Sequence, residues 1–293
     1  MRQRARQVKD RLRVALALAR EPNGPDIGSQ KALSELWRQH AASLRGRPIS
    51  DFGFSVYSQT DEDGILLYLF SIIGTTNRQA VEICAGDGIE CNAANLVINH
   101  GWHALLIDGD PIHVAKGQRF YSRHRLTHIF PPKVVQGWVT RDGVNDLIYS
   151  NGFSGDVDLL SLDLDGVDYW IWESITAISP RVVVLEYQDI LGPERSWTVP
   201  YADDFTAGAH SMTGSMPNFA GASLSAFTKL GKRKGYRLVG VNRYGFNAFY
   251  LREDVGVDHF PEVPVGDCFG HPKTRQGMAD RFPLVQNMPW VEV

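Results

Sequence analysis

The chain has 293 residues, of which 43% are hydrophobic and 22% are charged, and its formal net charge at pH 7 is −3. This composition is typical of a globular protein with one main domain plus extensions. The small negative charge argues against a nucleic-acid-binding protein, which would need a strongly basic surface. Three cysteines without metal-type spacing, and without an export signal, favour neither a disulfide framework nor a cysteine-ligated metal.

Residues 1–50 are predicted to form a helical extension of two helices. The first is basic and amphipathic, because Val8, Leu12 and Leu16 recur at helical spacing among arginines. Such a segment is either a solvated arm or a surface that docks on a membrane or a partner. Its apolar run, residues 14–19, is too short for a signal sequence or a membrane span, so we expect a cytoplasmic protein without stable membrane insertion.

The stretch at 81–92 is the part around which the fold is expected to be organised. A short apolar strand ends there in Gly86 and Gly88, and a helical pattern follows over 93–98. Glycines at such a point can adopt positive φ and let backbone N–H groups approach a ligand. A strand that turns sharply into a helix is where open α/β sheets hold nucleotide-like ligands, although an ordinary connection has the same short pattern.

The charge of this turn discriminates between ligands. Glu82, Asp87 and Glu90 surround the turn and would repel a pyrophosphate. The third glycine of the dinucleotide pattern G-x-G-x-x-G is also missing, because Cys91 stands in its place. Carboxylates beside a glycine turn suit a ligand with a cationic amino-acid end and ribose hydroxyls, and S-adenosylmethionine is such a ligand.

The next two strands add two further candidates. A strand at 104–107 ends in Asp108, where Rossmann-like folds place an acid that binds ribose hydroxyls. Asp110 is expected to cap the helix that follows. A third strand, predicted at 133–139, contains Trp138, whose indole either stacks near an adenine or belongs to the core.

The fourth strand, from Val157, has the strongest local signal. It is followed by Asp163 and Asp165, which lie two residues apart and therefore on the same face. Asp168 is expected to cap the next helix, predicted at 169–178.

A fifth strand, 182–185, brings Glu186 and Gln188 to the same edge of the sheet. Several carboxylates in one crevice need a cationic ligand, a divalent metal, or a raised pKa that leaves one of them protonated.

The end of the domain indicates the topology. A helix that stops at 234–235 is followed by strands at 236–241 and 246–251, joined by a tight turn. Five strand–helix units closed by an antiparallel hairpin resemble class I S-adenosylmethionine-dependent methyltransferases, whose α/β Rossmann-like sheet has the order 3-2-1-4-5-7-6 with the last strand antiparallel. The Ser-Gln-x-x-Glu-Asp stretch at 58–63 is similar to that of the FkbM-type family, and the chain resembles a poorly characterised branch near that family.

The resemblance covers roughly residues 57–252. It implies a cofactor-binding domain at 51–252, with an insert at 188–221 that forms a lid or substrate wall, and a tail at 253–293 that wraps the domain. It also implies S-adenosylmethionine as the cofactor. The residues expected to bind it are Gln59, Asp63, Glu82, Gly86, Asp87, Gly88, Asn92, Asp108, Trp138 and Asp163.

Some small-molecule O-methyltransferases place Mg²⁺ on acids at the ends of the fourth and fifth strands, where the ion lowers the pKa of a substrate hydroxyl. An all-oxygen set suits Mg²⁺ or Mn²⁺, and the predicted ligands are Asp163, Asp165, Glu186 and Gln188. The chain departs from that pattern because no Asp-Asn or Asp-Asp pair follows the fifth strand. Without a metal, Asp163 or Glu186 is the candidate base, and His210 in the insert is a further candidate unless it is merely solvated.

We therefore expect an enzyme that transfers a methyl group from S-adenosylmethionine to an oxygen or nitrogen of a small polar molecule, such as a sugar or natural product. A rival is a metal-dependent glycosyltransferase, because Asp163-x-Asp165 matches the motif that holds Mn²⁺ on a sugar nucleotide. A third alternative is a non-catalytic binding protein of the same fold. A homo-oligomer is left open by the sequence.

Overall fold

In a computed structural model, the chain is described over residues 24–207 and 218–293. Helix α1 (Ile27–Gln39) begins after Asp26, whose side chain accepts hydrogen bonds from the N–H groups of Gly28 and Ser29 at 2.7 and 2.9 Å. A short α2 (Ala41–Leu44) follows. The second predicted helix of the extension is thereby confirmed. The basic stretch at 1–23 lies outside the described residues.

Seven strands form the central sheet. They are β1 (Gln79–Ile83), β2 (His103–Asp108), β3 (Lys133–Gln136), β4 (Gly155–Leu162), β5 (Ile178–Glu186), β6 (Tyr236–Val241) and β7 (Asn247–Arg252). Their spatial order is β3-β2-β1-β4-β5-β7-β6, with β7 antiparallel to both of its neighbours and the other pairings parallel. The predicted fold class and strand order are confirmed.

Helices cover both faces of the sheet. They are α3 (Glu62–Ile73), α4 (Ala94–His100), α5 (Pro111–Tyr121), α6 (Val144–Ser150), α7 (Asp168–Ser174) and α8 (Leu224–Lys234). Residues alternate along each strand, so Ala80 packs with α1 and α3–α5, whereas Val81 packs with α6–α8 on the other face. Within the described residues, no helix is both long and apolar enough to cross a bilayer.

Three predicted boundaries are wrong. The helix expected at 169–178 ends at Ser174, because the N–H groups of Thr176 and Ala177 donate to the side chain of Asn145 at 2.7 and 2.8 Å. Strand β5 therefore begins earlier than expected and includes Pro180. The third strand ends at Gln136 instead of continuing to residue 139.

The two predicted helix caps have different outcomes. Asp110 caps α5 as expected and accepts the N–H of Ile112 at 2.7 Å. Asp168 does not cap α7, because it is the first residue of that helix. Its carboxylate instead accepts the N–H groups of Leu164 and Gly166 at 2.6 and 2.9 Å, so it stabilises the loop that follows β4.

The C-terminal tail contains more regular structure than its sequence indicates. It has a 3₁₀ turn (Val265–Phe269), helix α9 (Pro272–Asp280) and a short α10 (Phe282–Val285). Its last strand, Val291–Glu292, pairs antiparallel with Trp197–Thr198. Helix α9 packs against the 3₁₀ turn Asp189–Leu191, which follows β5. The tail therefore reaches the carboxyl edge of the sheet.

The turn after β1 has the backbone that its glycines predict. Gly86 and Gly88 have φ values of +56° and +68°. A Cβ added at Gly88 would lie 2.8 Å from Cδ1 of Leu106, whereas a Cβ at Gly86 would meet no atom within 4 Å. Space as well as conformation therefore requires glycine at position 88.

We expect Gly88→Ala to lower the free energy of unfolding by about 2–4 kcal/mol, since it combines a left-handed backbone with overpacking. Gly86→Ala, which meets only the conformational cost, should lose about 1–2 kcal/mol. Urea unfolding of both variants measures the difference. Equal losses in the two would contradict the close approach of Gly88 to Leu106.

Candidate functional site

Glu82 lies beneath the glycine turn and holds it in place. Its carboxylate accepts the N–H groups of Asn92 at 2.9 Å and Ala93 at 2.7 Å, and the hydroxyl of Ser161 at 3.2 Å. Burial raises the pKa of Glu82 above its ordinary value, and these hydrogen bonds counteract the rise. The side chain of Asn92 also donates to Ser161, at 3.0 Å. Glu82 thus links the turn to α4 and β4, and its contact with a cofactor stays a prediction.

Asp108 and Asp87, the two aspartates near the turn, also have partners within the chain. Asp108 accepts the N–H of Gly86 at 2.9 Å and that of Asp110 at 2.8 Å. Asp87 forms an ion pair with Lys116 of α5, a partner that the sequence did not reveal. One of the acids that surround the turn is therefore neutralised within the chain, and the helix that follows β2 supplies the cation.

An apolar cavity of about 410 Å³ opens beside the turn. Its walls include Cys84, Gly109, Trp138, Leu164, Asp165 and Phe205. Trp138 lies at the rim with 60% of its surface exposed, which excludes the core position considered above. Its indole N–H donates to the carbonyl of Asp203 at 2.6 Å, and its ring packs against Gly109. A planar aromatic face is therefore presented at the end of β3, next to Asp108.

A second cavity, also of about 410 Å³, is polar and shares Asp165 with the first. Its acidic and amide walls include Gln59, Asp163, Asp165, Asp168, Glu186, Gln188, Asp189 and Asn218. The site residues that were predicted at the carboxyl ends of β4 and β5 therefore line one cavity. Because Asp165 lines both cavities, an elongated ligand can contact the apolar and the acidic walls at once.

Three carboxylates form the centre of the polar cavity. Asp163, Asp165 and Glu186 each offer an oxygen, and these oxygens all lie within 4.8 Å of one another. Burial, the charge of Asp163 and a hydrogen bond to it raise the pKa of Glu186 far above its ordinary value. Burial and Asp163 also raise the pKa of Asp165. Burial and Asp163 raise the pKa of Asp168 to about 7. The cluster therefore needs protons or a cation.

The backbone at Asp165 is unusual, since its φ is +53° and non-glycine residues rarely adopt this conformation. The two hydrogen bonds that Asp168 accepts from the same loop hold this conformation. The donor set, three carboxylates within reach of one ion, fits a hard divalent cation such as Mg²⁺ or Mn²⁺. Gln188 lines the same cavity, and its role as a fourth ligand stays a prediction.

Asp63, which was predicted to bind the cofactor, has partners within the chain. Asp63 is buried at the start of α3, where one carboxylate oxygen accepts the N–H groups of Val56, Tyr57 and Ser58 at 2.6–2.7 Å. Burial raises its pKa to about 6. Asp63 thus organises the loop that brings Gln59 to the polar cavity, and its direct contact with a cofactor stays a prediction. His210 lies outside the described residues.

The sequence did not reveal two cations of the tail. Lys273 and Arg281 line the polar cavity together with the acids, and both pair with the buried Asp189. The His-Pro pair before Lys273 resembles a helix start, because Pro272 stands at the first position of α9. A helix start does not indicate which distant turn the helix packs against, so no local signal located these cations.

Comparison with protein-family models finds no match, and comparison with curated proteins finds none either. Several solved structures are similar. An O-methyltransferase from Bacillus cereus in complex with S-adenosylhomocysteine is 14% identical over 78% of this chain and 91% of its own, with a TM-score of 0.42. A putative O-methyltransferase from Nostoc punctiforme is 15% identical over 73% and 59%, with a TM-score of 0.41.

The mitomycin 7-O-methyltransferase MmcR is 18% identical over 61% of this chain, with a TM-score of 0.38. The chain spans 50% of the length of MmcR, 57% of TnmH and 58% of a methyltransferase from Thiobacillus denitrificans. These neighbours are similar at low identity and with TM-scores below 0.5. The strand order, and not these likenesses, defines the fold class of this chain.

We expect Glu186→Gln to stabilise the metal-free protein at pH 8. The pKa of Glu186 is higher in the folded than in the unfolded protein, where it has its ordinary value of 4.5. The free energy of unfolding therefore falls as the pH rises from 4.5 towards the raised pKa. The variant should therefore exceed the wild type in free energy of unfolding by at least about 1 kcal/mol at pH 8, and the difference should shrink towards pH 4. Denaturant unfolding at several pH values, with Glu253→Gln as the exposed control, measures this. A Glu186→Gln variant that is less stable than the wild type at pH 8 would contradict the repulsion between Glu186 and Asp163.

Proposed function

We propose that this protein transfers a methyl group from S-adenosylmethionine to an oxygen or nitrogen atom of a small polar molecule. The observation that carries the proposal is the junction of an apolar and an acidic cavity at Asp165, beside the glycine turn of β1. S-adenosylmethionine has a matching division, because its adenine is aromatic and its sulfonium and amino groups are cationic. Ligands of open α/β sheets bind at this carboxyl edge.

Each part of the cofactor has a candidate partner in this arrangement. Trp138, which lines the apolar cavity, offers an indole face for the adenine. Asp108 ends β2 beside Gly109 of that cavity, and its carboxylate is the proposed partner of the ribose hydroxyls. The backbone of Gly86 and Gly88 allows close approach without a Cβ. The carboxylate cluster attracts the positive charge of the sulfonium end. The similarity of residues 58–63 to FkbM-type enzymes supports a place near that family.

The reaction is an in-line displacement at the sulfonium methyl, so catalysis consists largely of positioning. A base is needed only to remove a proton from the nucleophile. Glu186 is the preferred base once the cationic cofactor or a divalent cation offsets the charge of Asp163 and leaves Glu186 ionised, and Asp163 beside it is the alternative. A divalent cation, which Asp163, Asp165 and Glu186 with Gln188 would hold, would supply Lewis-acid activation of a substrate hydroxyl.

We expect Trp138→Ala to weaken S-adenosylmethionine binding about tenfold, since stacking on an exposed indole is worth roughly 0.5–1.5 kcal/mol beyond the buried area. Tyr149→Ala is the matched control, because Tyr149 is an aromatic residue with 70% exposure that does not line either cavity. Isothermal titration calorimetry measures both affinities. Absence of cofactor binding by the wild type at millimolar concentration would reject the proposed function.

We expect the wild type to bind Mn²⁺ and Asp165→Asn to bind it at least about tenfold more weakly, because one carboxylate of a three-carboxylate set loses its charge. Asp204→Asn, at an exposed position outside the cluster, is the control. Electron paramagnetic resonance of free Mn²⁺ reports the binding. Unchanged affinity in Asp165→Asn would remove the metal from the proposal and leave Glu186 as the base.

A glycosyltransferase, the alternative function, would use the same acids to bind a different ligand. It requires a sugar nucleotide to bind together with Mn²⁺ at Asp163 and Asp165. Thermal shift assays with UDP-glucose plus Mn²⁺, and separately with S-adenosylmethionine, discriminate between the two activities. A non-catalytic protein of this fold would bind S-adenosylmethionine and keep its biological role in Asp163→Ala.

A further inference from the structure

The polar cavity has cationic as well as acidic walls. Lys273 and Arg281, both from the C-terminal tail, line it together with Asp163, Asp165 and Glu186. The proposed methyl transfer assigns a purpose to the acids but none to these two cations. Their arrangement therefore bears on the acceptor molecule.

The two cations share a single carboxylate. Lys273 Nζ lies 3.2 Å from Oδ2 of Asp189, and Arg281 Nη2 lies 2.9 Å from Oδ1. In the part of the chain that the structure describes, Asp189 is the only acidic group within 4.0 Å of either cation. Two positive charges against one negative charge leave a surplus of one positive charge at this wall.

A purely structural role of the two cations, the pairing with Asp189, does not account for the surplus positive charge. Asp189 is buried, with 4% of its side chain exposed, and one cation suffices to balance its charge. Arg281 forms two hydrogen bonds to Asp189 and is the more buried cation, with 29% of its side chain exposed, so it is the better structural partner. Lys273 is 42% exposed and makes one bond to Asp189, so it is the surplus charge.

Lys273 lies over an aromatic ring of the cavity wall and keeps 42% of its side chain exposed. Its Nζ lies 4.9 Å from the ring centroid of Phe246, which lines the same cavity. A ligand anion would be attracted to Lys273 and Arg281 and repelled by the carboxylate cluster, so the two charged walls orient a polar ligand in one direction. Arginine and lysine together recognise carboxylate, sulfate and phosphate groups.

We propose that the acceptor substrate carries an oxyanion that binds Lys273 and Arg281, and that its methylated oxygen or nitrogen lies at the cluster of Asp163, Asp165 and Glu186. This inference rests on the proposed methyl transfer and narrows its substrates to anionic hydroxy or amino compounds. It excludes neutral sugars and neutral natural products as preferred acceptors.

Matched pairs of probes test the charge preference. We expect 3,4-dihydroxybenzoate to bind the wild type at least about tenfold more tightly than 3,4-dihydroxybenzyl alcohol, in the presence of S-adenosylhomocysteine and Mg²⁺. Glucuronate and glucose 6-phosphate, each against glucose, extend the test to a sugar frame with a carboxylate or a phosphate. Calorimetry or thermal shift measures each pair. Equal or absent binding of the anionic and neutral members in all pairs overturns the inference.

Lys273→Met is the decisive variant, because Arg281 still balances the buried Asp189 and the fold is expected to persist. Its preference for the anionic members should fall to less than about twofold. Lys232→Met, which removes an exposed lysine paired with Glu262 outside the cavity, should keep the wild-type preference. A circular dichroism melt of each variant verifies folding. An undiminished preference in Lys273→Met overturns the inference.

Titration with S-adenosylmethionine separates the two proposals. Cofactor binding without an anion preference overturns the anionic acceptor and leaves methyl transfer standing. An anion preference that depends on Lys273, in a protein that does not bind the cofactor, overturns methyl transfer and the role of the anion as an acceptor. Both results together, cofactor binding and a Lys273-dependent preference, support the inference.

Discussion

Repulsion among carboxylates at one edge of the sheet is the constraint that the rest of the site has to meet. The order of the strands makes β4 and β5 neighbours, so the acids at their carboxyl ends converge. The oxygens of Asp163, Asp165 and Glu186 lie within 4.8 Å of one another, with Asp163 and Asp165 exposed and Glu186 half-buried. Three ionised carboxylates cannot remain so close without a cation or a shared proton. The fold thus places carboxylates at this edge that a bound cation or a proton would stabilise.

Elsewhere the protein satisfies its buried acids internally. Asp158 is paired with Arg181 and accepts backbone N–H groups, and Asp189 has two cations. The acids of the cluster differ, because none of the ion pairs found over residues 24–207 and 218–293 includes Asp163, Asp165 or Glu186. The contrast within one chain favours a ligand as the missing partner over a purely structural role.

Features that depend on neighbouring residues or on strand order could be predicted from the sequence. The positive φ of Gly86 and Gly88 and the cap at Asp110 follow from local patterns, and the seven-strand order follows from the resemblance to class I methyltransferases. Features that depend on which helix packs where could not. Lys116 reaches Asp87 from 29 positions away, and the cations of the tail reach Asp189 from 84 and 92 positions away. No periodicity in the sequence encodes such distances.

Charge balance links the cluster to the proposed chemistry. Methyl transfer removes the positive charge of the sulfonium and releases a proton from the nucleophile. A bound cation lowers the pKa of Glu186 and favours its ionised form, whereas loss of that cation restores the repulsion from Asp163 that raises the pKa. In the proposed reaction, Glu186 would accept the proton of the nucleophile as the sulfonium charge disappears. That proton would replace the lost charge within the cluster, so the repulsion among the carboxylates would favour the proton transfer.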